Sequence, residues 1–505
     1  RPMDLAGLMQ CNCFPVLGSL VVLLLVYLVL MAQTQNNEPP GPRPLPVLGN
    51  LLLLDFNQPY KTFIKLSKKY GSVFTFHMGP NKAVVLVGYK TVKEALVDFA
   101  HEFGERATRR TAKEDEQEYG VVFTNGETWR EMRRFALTNL RDFGMGKKAS
   151  EDKIIEECGH LLQRIKSFRD KAFDTHGVVN AAVSNIICSM VYGSRFDYDE
   201  PEFKEILYRV CRGMELLGTR SFQVLQLNEM FPSLGKWLSR TRAEHRNIIL
   251  ANRSHYLKMI DQLTETLEPQ VSRGVVDAFL IKRQQLEEAG QKDTQFHRKN
   301  LTMMVSNLFA GGTETTACTL RWSLLFMAKH PKIQDQVREE ISRVIGARQV
   351  QVEDRKNLPF TDAVIHETQR LGNIFPLSVL HRTSCDVIFK GHFIKKGTTV
   401  YTVLASVLYD ENEWEKPHSF YPAHFLDQDG KFVKRDAFMP FSAGRRACPG
   451  EALARMELFI IFVTLMQHFR FTPPPGVTEE ELDLTPQVGG TRCPLPHQLC
   501  ATSLF

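Results

Sequence analysis

The sequence predicts a mainly α-helical protein with small β-sheets (an α+β fold), in one large domain behind an N-terminal transmembrane helix. Long stretches carry apolar residues at the spacing of a helix face, whereas alternating β-branched stretches are few and short. A run of 19 uncharged residues stands near the N-terminus. No charge block, repeat or low-complexity stretch marks a second boundary beyond it. We therefore expect an anchored single-domain protein.

Composition excludes several classes of protein. The chain is 43% hydrophobic, 24% charged and 10% aromatic, which excludes collagen-like, mucin-like and mainly disordered proteins. Its formal charge of +6 over 505 residues is too small an excess to indicate a nucleic-acid partner. The ten cysteines are dispersed apart from Cys11 and Cys13, without CxxC or zinc-ligand spacing. They predict a body that folds in a reducing compartment.

The run Phe14–Ala32 predicts the anchor. As a helix it would reach about 28 Å, close to the bilayer core of about 30 Å. A cleaved signal peptide is the alternative, but the run is longer than the apolar core of such peptides and no basic cluster precedes it. Arg43 follows closely and favours a cytosolic body by the positive-inside rule. We expect a lumenal N-terminus over 1–13 and a transmembrane segment over 14–32.

Residues 33–50 predict a stiff hinge, because the prolines in Glu38–Pro46 cannot continue a helix and favour extended backbone. A proline-rich ligand for a partner protein is the alternative; the position beside the anchor favours a spacer. The globular body is expected over 51–505. Its predicted strands are Val73–His77, Lys82–Val87, Val387–Phe389 and Val400–Val403. Its predicted helices are Tyr60–Tyr70, Glu127–Leu140, Lys153–Phe168, Asp277–Glu288, Arg298–Ala328, Ile333–Ile345, Phe360–Leu371 and Gly450–Gln467.

The strongest motif lies near the C-terminus. It fits F-x-x-G-x-R-x-C-x-G through Phe441, Gly444, Arg446, Cys448 and Gly450. The glycines would let backbone lie against a flat macrocycle, and the arginine can bond a haem propionate. The helix that follows would direct N–H groups at the sulfur and favour its thiolate form. A thiolate ligand on haem iron favours O–O cleavage. A lone cysteine is otherwise most often an inert buried thiol.

With this loop the chain resembles the haem-thiolate monooxygenases called cytochromes P-450, over almost its whole length. It looks most similar to the animal microsomal group, family two, that metabolises drugs, steroids and fatty acids; Ser184–Cys188 followed by Tyr192–Tyr198 is typical of that group. The resemblance implies haem b (iron protoporphyrin IX) held by the Cys448 thiolate, with O2 as co-substrate. NADPH would act indirectly, through a reductase.

Two further motifs of the family follow. Glu367 and Arg370 match E-x-x-R, a pair that packs behind the haem and fixes the thiolate loop. The spacing alone is weak, since Glu127/Arg130 shares it; the upstream Asn357–Phe360 supplies the family's context. Trp129 and Arg133 match W-x-x-x-R; one helical turn apart, they can reach one propionate. An amphipathic surface helix is the alternative for that second motif.

The segment Ala310–Thr316 is the predicted oxygen-activating element. Its glycines and threonines are poor helix formers within a helical run. Close helix packing through small residues is the alternative to a local break that makes room for O2 and water. In the family, Thr315 would hold a water at the iron and Glu314 would relay protons. This acid–hydroxyl pair favours oxygen activation over the haem-thiolate isomerases, which need no external protons.

The resemblance implies further partners and two departures. Arg106 and His381 would bind propionates. The family's P-E-R-F segment reads Pro422–Phe425, so His424 would join Glu367 and Arg370 in place of an arginine. Pro449 lacks an N–H for the sulfur, which we expect to lower the reduction potential. Matching segments place eight apolar or small residues at the substrate, which predicts a lipophilic one: Val122, Phe123, Phe309, Ala310, Leu377, Val379, Val488 and Gly489.

Electrons must come from outside the chain, because no G-x-G-x-x-G fingerprint follows a strand and no flavin module is appended. We expect NADPH–cytochrome P-450 reductase as partner, with cytochrome b5 as a second one, and no nucleic acid. The apolar segment Phe222–Leu238 would dip into the bilayer and admit substrates. A basic set on the thiolate side suits an acidic redox partner, a solvated face being the alternative: Arg130, Arg134, Arg141, Lys147, Lys148, Arg445 and Arg455.

The predicted protein is therefore a single-pass enzyme of the endoplasmic reticulum with its catalytic domain in the cytosol. It would hydroxylate or epoxidise xenobiotics, fatty acids or steroids. One alternative is a haem-thiolate isomerase or dehydratase acting on peroxides, which dependence on NADPH would exclude. The other is a membrane haem-binding sensor without turnover, which substrate-stimulated NADPH consumption would exclude.

Overall fold

The structure, a computed structural model, describes residues 37–107, 119–142, 148–217, 235–291 and 293–504. The predicted lumenal segment and anchor lie outside these ranges, as does most of the apolar segment 222–238. Within the described ranges, no helix combines the length and the apolar character needed to cross a membrane.

Helices make up most of the described body, as predicted. Each helix expected from apolar spacing is present, with its ends shifted by five residues or fewer. In chain order the helices are α1 Pro59–Tyr70, α2 Tyr89–Lys93, α3 Gly126–Asp142, α4 Lys148–Lys166, α5 Thr175–Val191, α6 Pro201–Leu217, α7 Gly235–Glu265, α8 Val275–Glu288, α9 Arg298–Lys329, α10 Pro331–Val344, α11 Pro359–Gly372, α12 Ala405–Leu408 and α13 Glu451–His468.

The strands form three small sheets, with orders β1-β2-β8-β5-β3, β4-β10-β9 and β6-β7. In the largest sheet β2 pairs with β8 in parallel and β5 pairs with β3 antiparallel, so His381 lies directly opposite Arg106. The pairing brings together two residues that are far apart in the sequence. The strands are β1 Val73–Met78, β2 Asn81–Leu86, β3 Glu105–Arg106, β4 Phe173–Asp174, β5 His381–Arg382, β6 Val387–Phe389, β7 His392–Ile394, β8 Thr399–Thr402, β9 Phe469–Thr472 and β10 Gln498–Ser503.

Helix α9 lies at the centre of the largest hydrophobic core, beside α5. Its two adjacent glycines face different surroundings. A Cβ added at Gly312 would lie 2.9 Å from Ile187 Cγ1, so the glycine lets α9 pack closely on α5. A Cβ added at Gly311 would meet no atom within 4 Å, and Gly311 is exposed in the middle of a mostly buried helix. Gly312 therefore fits the close-packing alternative for this segment, and Gly311 fits the alternative of open space.

The described part of the proline-rich hinge packs against the edge of the largest sheet. The Thr75 hydroxyl donates to the Pro39 carbonyl oxygen at 2.9 Å, and the Thr75 N–H donates to the Pro40 carbonyl oxygen at 2.7 Å. Buried Asn50 donates to the Arg43 carbonyl oxygen at 3.1 Å and accepts from the His77 N–H at 2.8 Å. These hydrogen bonds fix the path of the described segment relative to β1.

One cysteine pair differs from the unpaired thiols that the sequence led us to expect. Cys318 on α9 and Cys493 in the C-terminal loop form a disulfide, with Cα atoms 5.2 Å apart although 175 residues separate them. Their spacing in the sequence carries no sign of this, because the pairing depends on how the C-terminal loop folds over α9. The remaining described cysteines are free: Cys158, Cys188, Cys211, Cys385, Cys448 and Cys500.

Candidate active site

The cysteine loop is closed by a hydrogen bond from the Cys448 N–H to the Phe441 carbonyl oxygen at 3.0 Å. Gly444 has φ +70°, and an added Cβ would overlap the Leu96 carbonyl oxygen. Packing on the helical turn Glu94–Asp98 therefore by itself requires a glycine at position 444. For Gly450 the nearest atom to an added Cβ is Cys448 Sγ at 3.9 Å, so the protein itself leaves room for a side chain. Close approach of a macrocycle remains our predicted reason for a glycine at this position.

The Cys448 side chain is exposed to a cleft that protein encloses. Burial raises the pKa of its thiol, and the N–H groups of Gly450 and Glu451 together with the charge of Arg133 oppose that effect. The N–H groups at the start of the following helix thus favour the thiolate, as expected, and the cost of desolvating the thiolate opposes them. A metal ion that binds this sulfur must itself displace the proton.

Pro449 stands between Cys448 and the two residues whose N–H groups reach the sulfur. We expect Pro449→Ala to raise the haem reduction potential, because alanine adds an N–H that stabilises the thiolate and withdraws its charge from iron. A hydrogen bond worth about 0.5–1.5 kcal/mol corresponds to about 20–60 mV. Redox potentiometry measures the shift, with Pro440→Ala as the matched control. An unchanged or lower potential would contradict the expectation.

A cationic cluster lines the cleft beside the loop. Arg446 donates through Nε to the Gly104 carbonyl oxygen and through Nη2 to Asn125 Oδ1, both at 2.8 Å. Its guanidinium lies 3.7 Å from the centre of the Trp129 ring. Arg133 donates to the Ala447 carbonyl oxygen at 2.8 Å, within the cysteine loop. Three of the predicted residues therefore converge on one place through different elements.

The strand pair β3–β5 completes the cluster. Arg106 donates through Nη1 to the Val379 carbonyl oxygen at 2.7 Å, and through Nη2 to the Arg446 carbonyl oxygen at 3.3 Å. His381 Nδ1 lies 2.7 Å from the Phe103 carbonyl oxygen, so that nitrogen carries the proton. Burial, with the charge of Arg106, lowers the pKa of His381 to about 3.

These residues retain polar atoms that no protein group satisfies. Arg106 Nε, Trp129 Nε1, His381 Nε2 and Arg446 Nη1 are buried and have no hydrogen-bond partner in the described structure. Burial and the charge of Arg133 lower the pKa of Arg106 to about 10; burial and the charges of Arg106, Arg133 and Arg445 lower that of Arg446 to about 9. The three unsatisfied donors, on Arg106, Trp129 and Arg446, and the mutually repelling cations fit a buried group with two carboxylates, as the propionates of haem provide.

Glu314 and Thr315 lie on different sides of α9. The Glu314 carboxylate accepts from Asn180 Nδ2 at 2.9 Å, and its Oε1 lies 3.2 Å from Sγ of the disulfide-bonded Cys493. The Thr315 hydroxyl donates to the Gly311 carbonyl oxygen at 2.6 Å. Helix α9 runs without interruption through this segment, so the predicted local break is wrong. Open space at Gly311 provides the room that we expected from a break.

Glu367 and Arg370 form a two-pronged ion pair, both bonds 2.7 Å long, with neither side chain exposed. Arg370 also donates to the carbonyl oxygens of Leu408, Pro417 and Ser419. His424 Nδ1 lies 3.1 Å from Glu367 Oε2, in the predicted partner position. The pair fixes the segment 408–424, and the described hydrogen bonds of Arg370 do not reach the cysteine loop itself, which corrects our expectation.

The predicted substrate residues separate into groups. Phe309 is 1% exposed and stacks on Tyr256, so it packs within the hydrophobic core of the described structure. Ala310, one residue later, lines a cavity of about 160 Å³ between α6, α7 and α9. Gly489 lines a different cavity, on the Glu314 side of α9. Phe123 is 41% exposed. The other four are partly buried: Val122, Leu377, Val379 and Val488.

Asn125 is a site residue that the sequence analysis missed. Its Oδ1 accepts from the Arg106 N–H and from Arg446 Nη2, both at 2.8 Å, and its Nδ2 donates to the Arg106 carbonyl oxygen at 3.0 Å. One amide thus holds two of the cluster's arginines in place. Its position between Phe123 and Trp129 gives a weak signal at most, because a single asparagine before a helix is usually a cap.

Buried hydrogen-bond donors that fit two carboxylates, beside a cysteine that faces the same cleft, are the features expected of a haem-thiolate protein. The family model of cytochrome P450 matches residues 39–501, and the chain belongs to that family.

Its relatives place it more closely. It is 56% identical to cytochrome P450 2K4 of Oncorhynchus mykiss over 501 residues, which cover 98% of this chain and 99% of the relative. It is 52% identical to cytochrome P450 2K6 of Danio rerio over 461 residues (90% of each chain). Cytochrome P450 2A13 of Homo sapiens is 42% identical over 472 residues, 93% of this chain and 94% of the relative. The chain is a family-two haem-thiolate monooxygenase that uses O2 and electrons from a redox partner.

Proposed function

We propose that this monooxygenase is a single-pass enzyme of the endoplasmic reticulum membrane, with its body in the cytosol. It hydroxylates or epoxidises lipophilic xenobiotics, fatty acids or steroids. NADPH–cytochrome P-450 reductase supplies its electrons, with cytochrome b5 as an additional donor. The observation that carries the proposal is the exposed Cys448 side chain beside a cationic cluster whose buried polar atoms lack partners in the described structure.

In this proposal the Cys448 sulfur would bind the haem iron, and five residues would hold the propionates: Arg106, Trp129, Arg133, His381 and Arg446. When bound, haem supplies the activation of O2, which a thiolate ligand favours by promoting O–O cleavage. Binding of a propionate by His381 depends on the protonation state of its imidazole. Since its Nδ1 proton is given to the Phe103 carbonyl oxygen, its Nε2 donates to a carboxylate only in the imidazolium form. A nearby propionate charge stabilises that form and offsets the repulsion from Arg106.

The Thr315 hydroxyl is placed to bind a water molecule. Its hydroxyl hydrogen is given to the Gly311 carbonyl oxygen, so its lone pairs accept a hydrogen bond from a water above Gly311. Burial raises the pKa of Glu314, and hydrogen bonds from Cys211 and Asn180 together with the charge of Arg321 oppose the shift. In its neutral form Glu314 stores a proton behind the helix, and a rotation of its side chain towards Thr315 delivers the proton.

A reconstitution experiment tests this function. The full chain with the reductase in phospholipid vesicles should consume NADPH faster when a lipophilic substrate is added, and should place one atom of labelled O2 in the product. Conversion of an organic hydroperoxide with no need for NADPH, and no oxidation with it, would instead support the isomerase. Stable haem without substrate-stimulated NADPH consumption would support the sensor.

The basic surface on the thiolate side gives a prediction about reductase coupling. Arg134 is exposed on α3, and Arg445 is exposed in the cysteine loop. We expect Arg134→Glu to raise the reductase concentration needed for half-maximal turnover about three- to tenfold at low salt, because a surface attraction becomes a repulsion. The effect should shrink as salt screens both charges. Titration with reductase at several salt concentrations measures it.

Lys396→Glu is the matched control, since it reverses the charge of an exposed lysine between β7 and β8. Equal effects of the two variants, or an Arg134 effect that does not respond to salt, would contradict a specific docking surface. Arg455 contributes less than the sequence suggested, because Glu451 already pairs with it at 2.9 Å. The side chains of Arg141 and Lys147 lie outside the described residues.

A further inference from the structure

A cavity of the described structure lies beside α9, and Glu314 is part of its lining. Its volume is about 450 Å³, and α5, α6, α9 and the loop 487–493 enclose it. Its lining extends from Asn180, which is 1% exposed, to Tyr208, which is 63% exposed. The cavity therefore connects a buried polar interior with the surface, and a small solute can enter it.

Three different metal-ligand side chains meet in this cavity. His176 in the first turn of α5, Cys211 on α6 and Glu314 on α9 each offer one atom, and these atoms lie within 4.8 Å of one another. Imidazole nitrogen, thiolate sulfur and carboxylate oxygen are the ligand types of zinc sites.

Asn180 is an independent indication of a ligand at this place. It lies one helical turn after His176, on the same face of α5. Its Nδ2 donates to Cys211 Sγ at 3.0 Å and to Glu314 Oε2 at 2.9 Å, which orients both donors. Its Oδ1 is buried without a hydrogen-bond partner in the described structure. A water bound to a metal would satisfy that oxygen.

Burial keeps His176 in the form that binds a metal, whereas at Cys211 and Glu314 burial favours the protonated forms and the charge of Arg321 favours the anions that bind a metal. Burial and the charge of Arg321 lower the pKa of His176, so the imidazole is neutral and can act as a ligand. Burial raises the pKa of Cys211 and of Glu314, and Arg321 opposes both shifts by attracting their anions. Cys493, whose sulfur also contacts Glu314, is held in the disulfide, which leaves Cys211 as the thiol donor.

We propose that His176, Cys211 and Glu314 form a binding site for a zinc ion, with Asn180 as the outer partner of a water in the fourth position. The Cys211 thiol gives up its proton to solvent when the metal binds, so thiolate and carboxylate together neutralise the charge of Zn²⁺. The site lies outside the haem cleft, so its existence does not depend on the proposed function. If both hold, bound zinc inhibits turnover by keeping Glu314 as a ligand.

Zinc binding to the haem-loaded full chain tests the proposal. Equilibrium dialysis against ZnCl2, with bound zinc measured per haem, should show one tight site. Absorption at the zinc K-edge should show one sulfur neighbour at about 2.3 Å together with nitrogen and oxygen neighbours. Cys211→Ser should remove the sulfur neighbour and weaken binding by about 100-fold or more; Asn180→Ala should weaken it about 10- to 100-fold.

A second group in the chain provides the matched control. His101, Glu102 and Cys385 also bring three ligand atoms together, nearer the surface and, like the first group, within 4.8 Å. Cys385→Ser should leave the zinc signal unchanged. Loss of the signal in Cys385→Ser, retention of the sulfur neighbour in Cys211→Ser, or a zinc environment without sulfur would each overturn the proposal. The carbon monoxide spectrum of each variant verifies that the holoenzyme is folded.

Discussion

The Cys448→Ser variant is expected to lose the far-red Soret band of the reduced carbon monoxide complex. That band reports thiolate ligation, and serine oxygen does not give iron the same electron density. Monooxygenase turnover should fall below about 1% of that of the wild type for the same reason. The N–H groups of Gly450 and Glu451, and the bond from the residue 448 N–H to the Phe441 carbonyl oxygen, are backbone features that the substitution leaves in place.

Because the loop keeps its backbone contacts, loss of the band should not require loss of the fold. Circular dichroism and haem content check this point. Cys188→Ser is the matched control: that buried free thiol lies on α5, and its substitution should keep the far-red band. A Soret band at the histidine-ligated position in both wild type and Cys448→Ser, with haem stably bound, would show that Cys448 is not the ligand.

The second large effect is expected at the buried ion pair. Glu367→Ala removes the partner of a fully buried arginine, along with the acceptor of the Tyr421 N–H. An uncompensated buried charge should lower the free energy of unfolding by about 3–5 kcal/mol. The segment 408–424, which Arg370 and His424 hold, should detach first, so we expect weaker haem retention as well. Denaturant titration followed by circular dichroism and haem absorbance measures both.

The chain contains a matched control with the same E-x-x-R spacing. Glu127 and Arg130 on α3 are paired at 3.3 Å, but their side chains are 74% and 62% exposed. Glu127→Ala should change the free energy of unfolding by less than about 1 kcal/mol, since surface pairs contribute little. A similar loss in both variants would mean that helix propensity, not the buried charge, sets the effect.

Most of the predicted helices bury one apolar face, although α13 was predicted and is buried on nearly all sides. Helix α5 was missed for a physical reason. It is buried almost all round, from Thr175 to Val191, so it lacks the stripe at a period of 3.6 residues that marks a half-buried helix. The long helix α9 is also buried on most sides, but its length and its Gly-Gly-Thr-Glu-Thr-Thr segment made it recognisable.

At the site, local motifs identified residue types correctly, whereas side-chain direction depended on tertiary packing. Spacing indicates that Trp129 and Arg133 share a helix face, and both reach the cleft side with Arg446. Nothing in the sequence shows that Glu314 faces Asn180 and the C-terminal loop, because those elements meet only in the folded chain. Similarly, Phe309 and Ala310 point about 100° apart around α9, and only one of them lines a cavity.

The cationic cluster has a consequence for the life of the protein in the cell. Arg106, Arg133 and Arg446 repel one another inside the fold, so the folded chain gains stability when an anionic cofactor binds them. A ligand that binds only the native state stabilises it by RT ln(1 + [L]/Kd), and proteolysis of unfolded chains removes what is not stabilised. We therefore expect the steady-state amount of this enzyme to depend on haem supply as well as on synthesis of the polypeptide. A shortage of haem should lower the amount of enzyme in the cell.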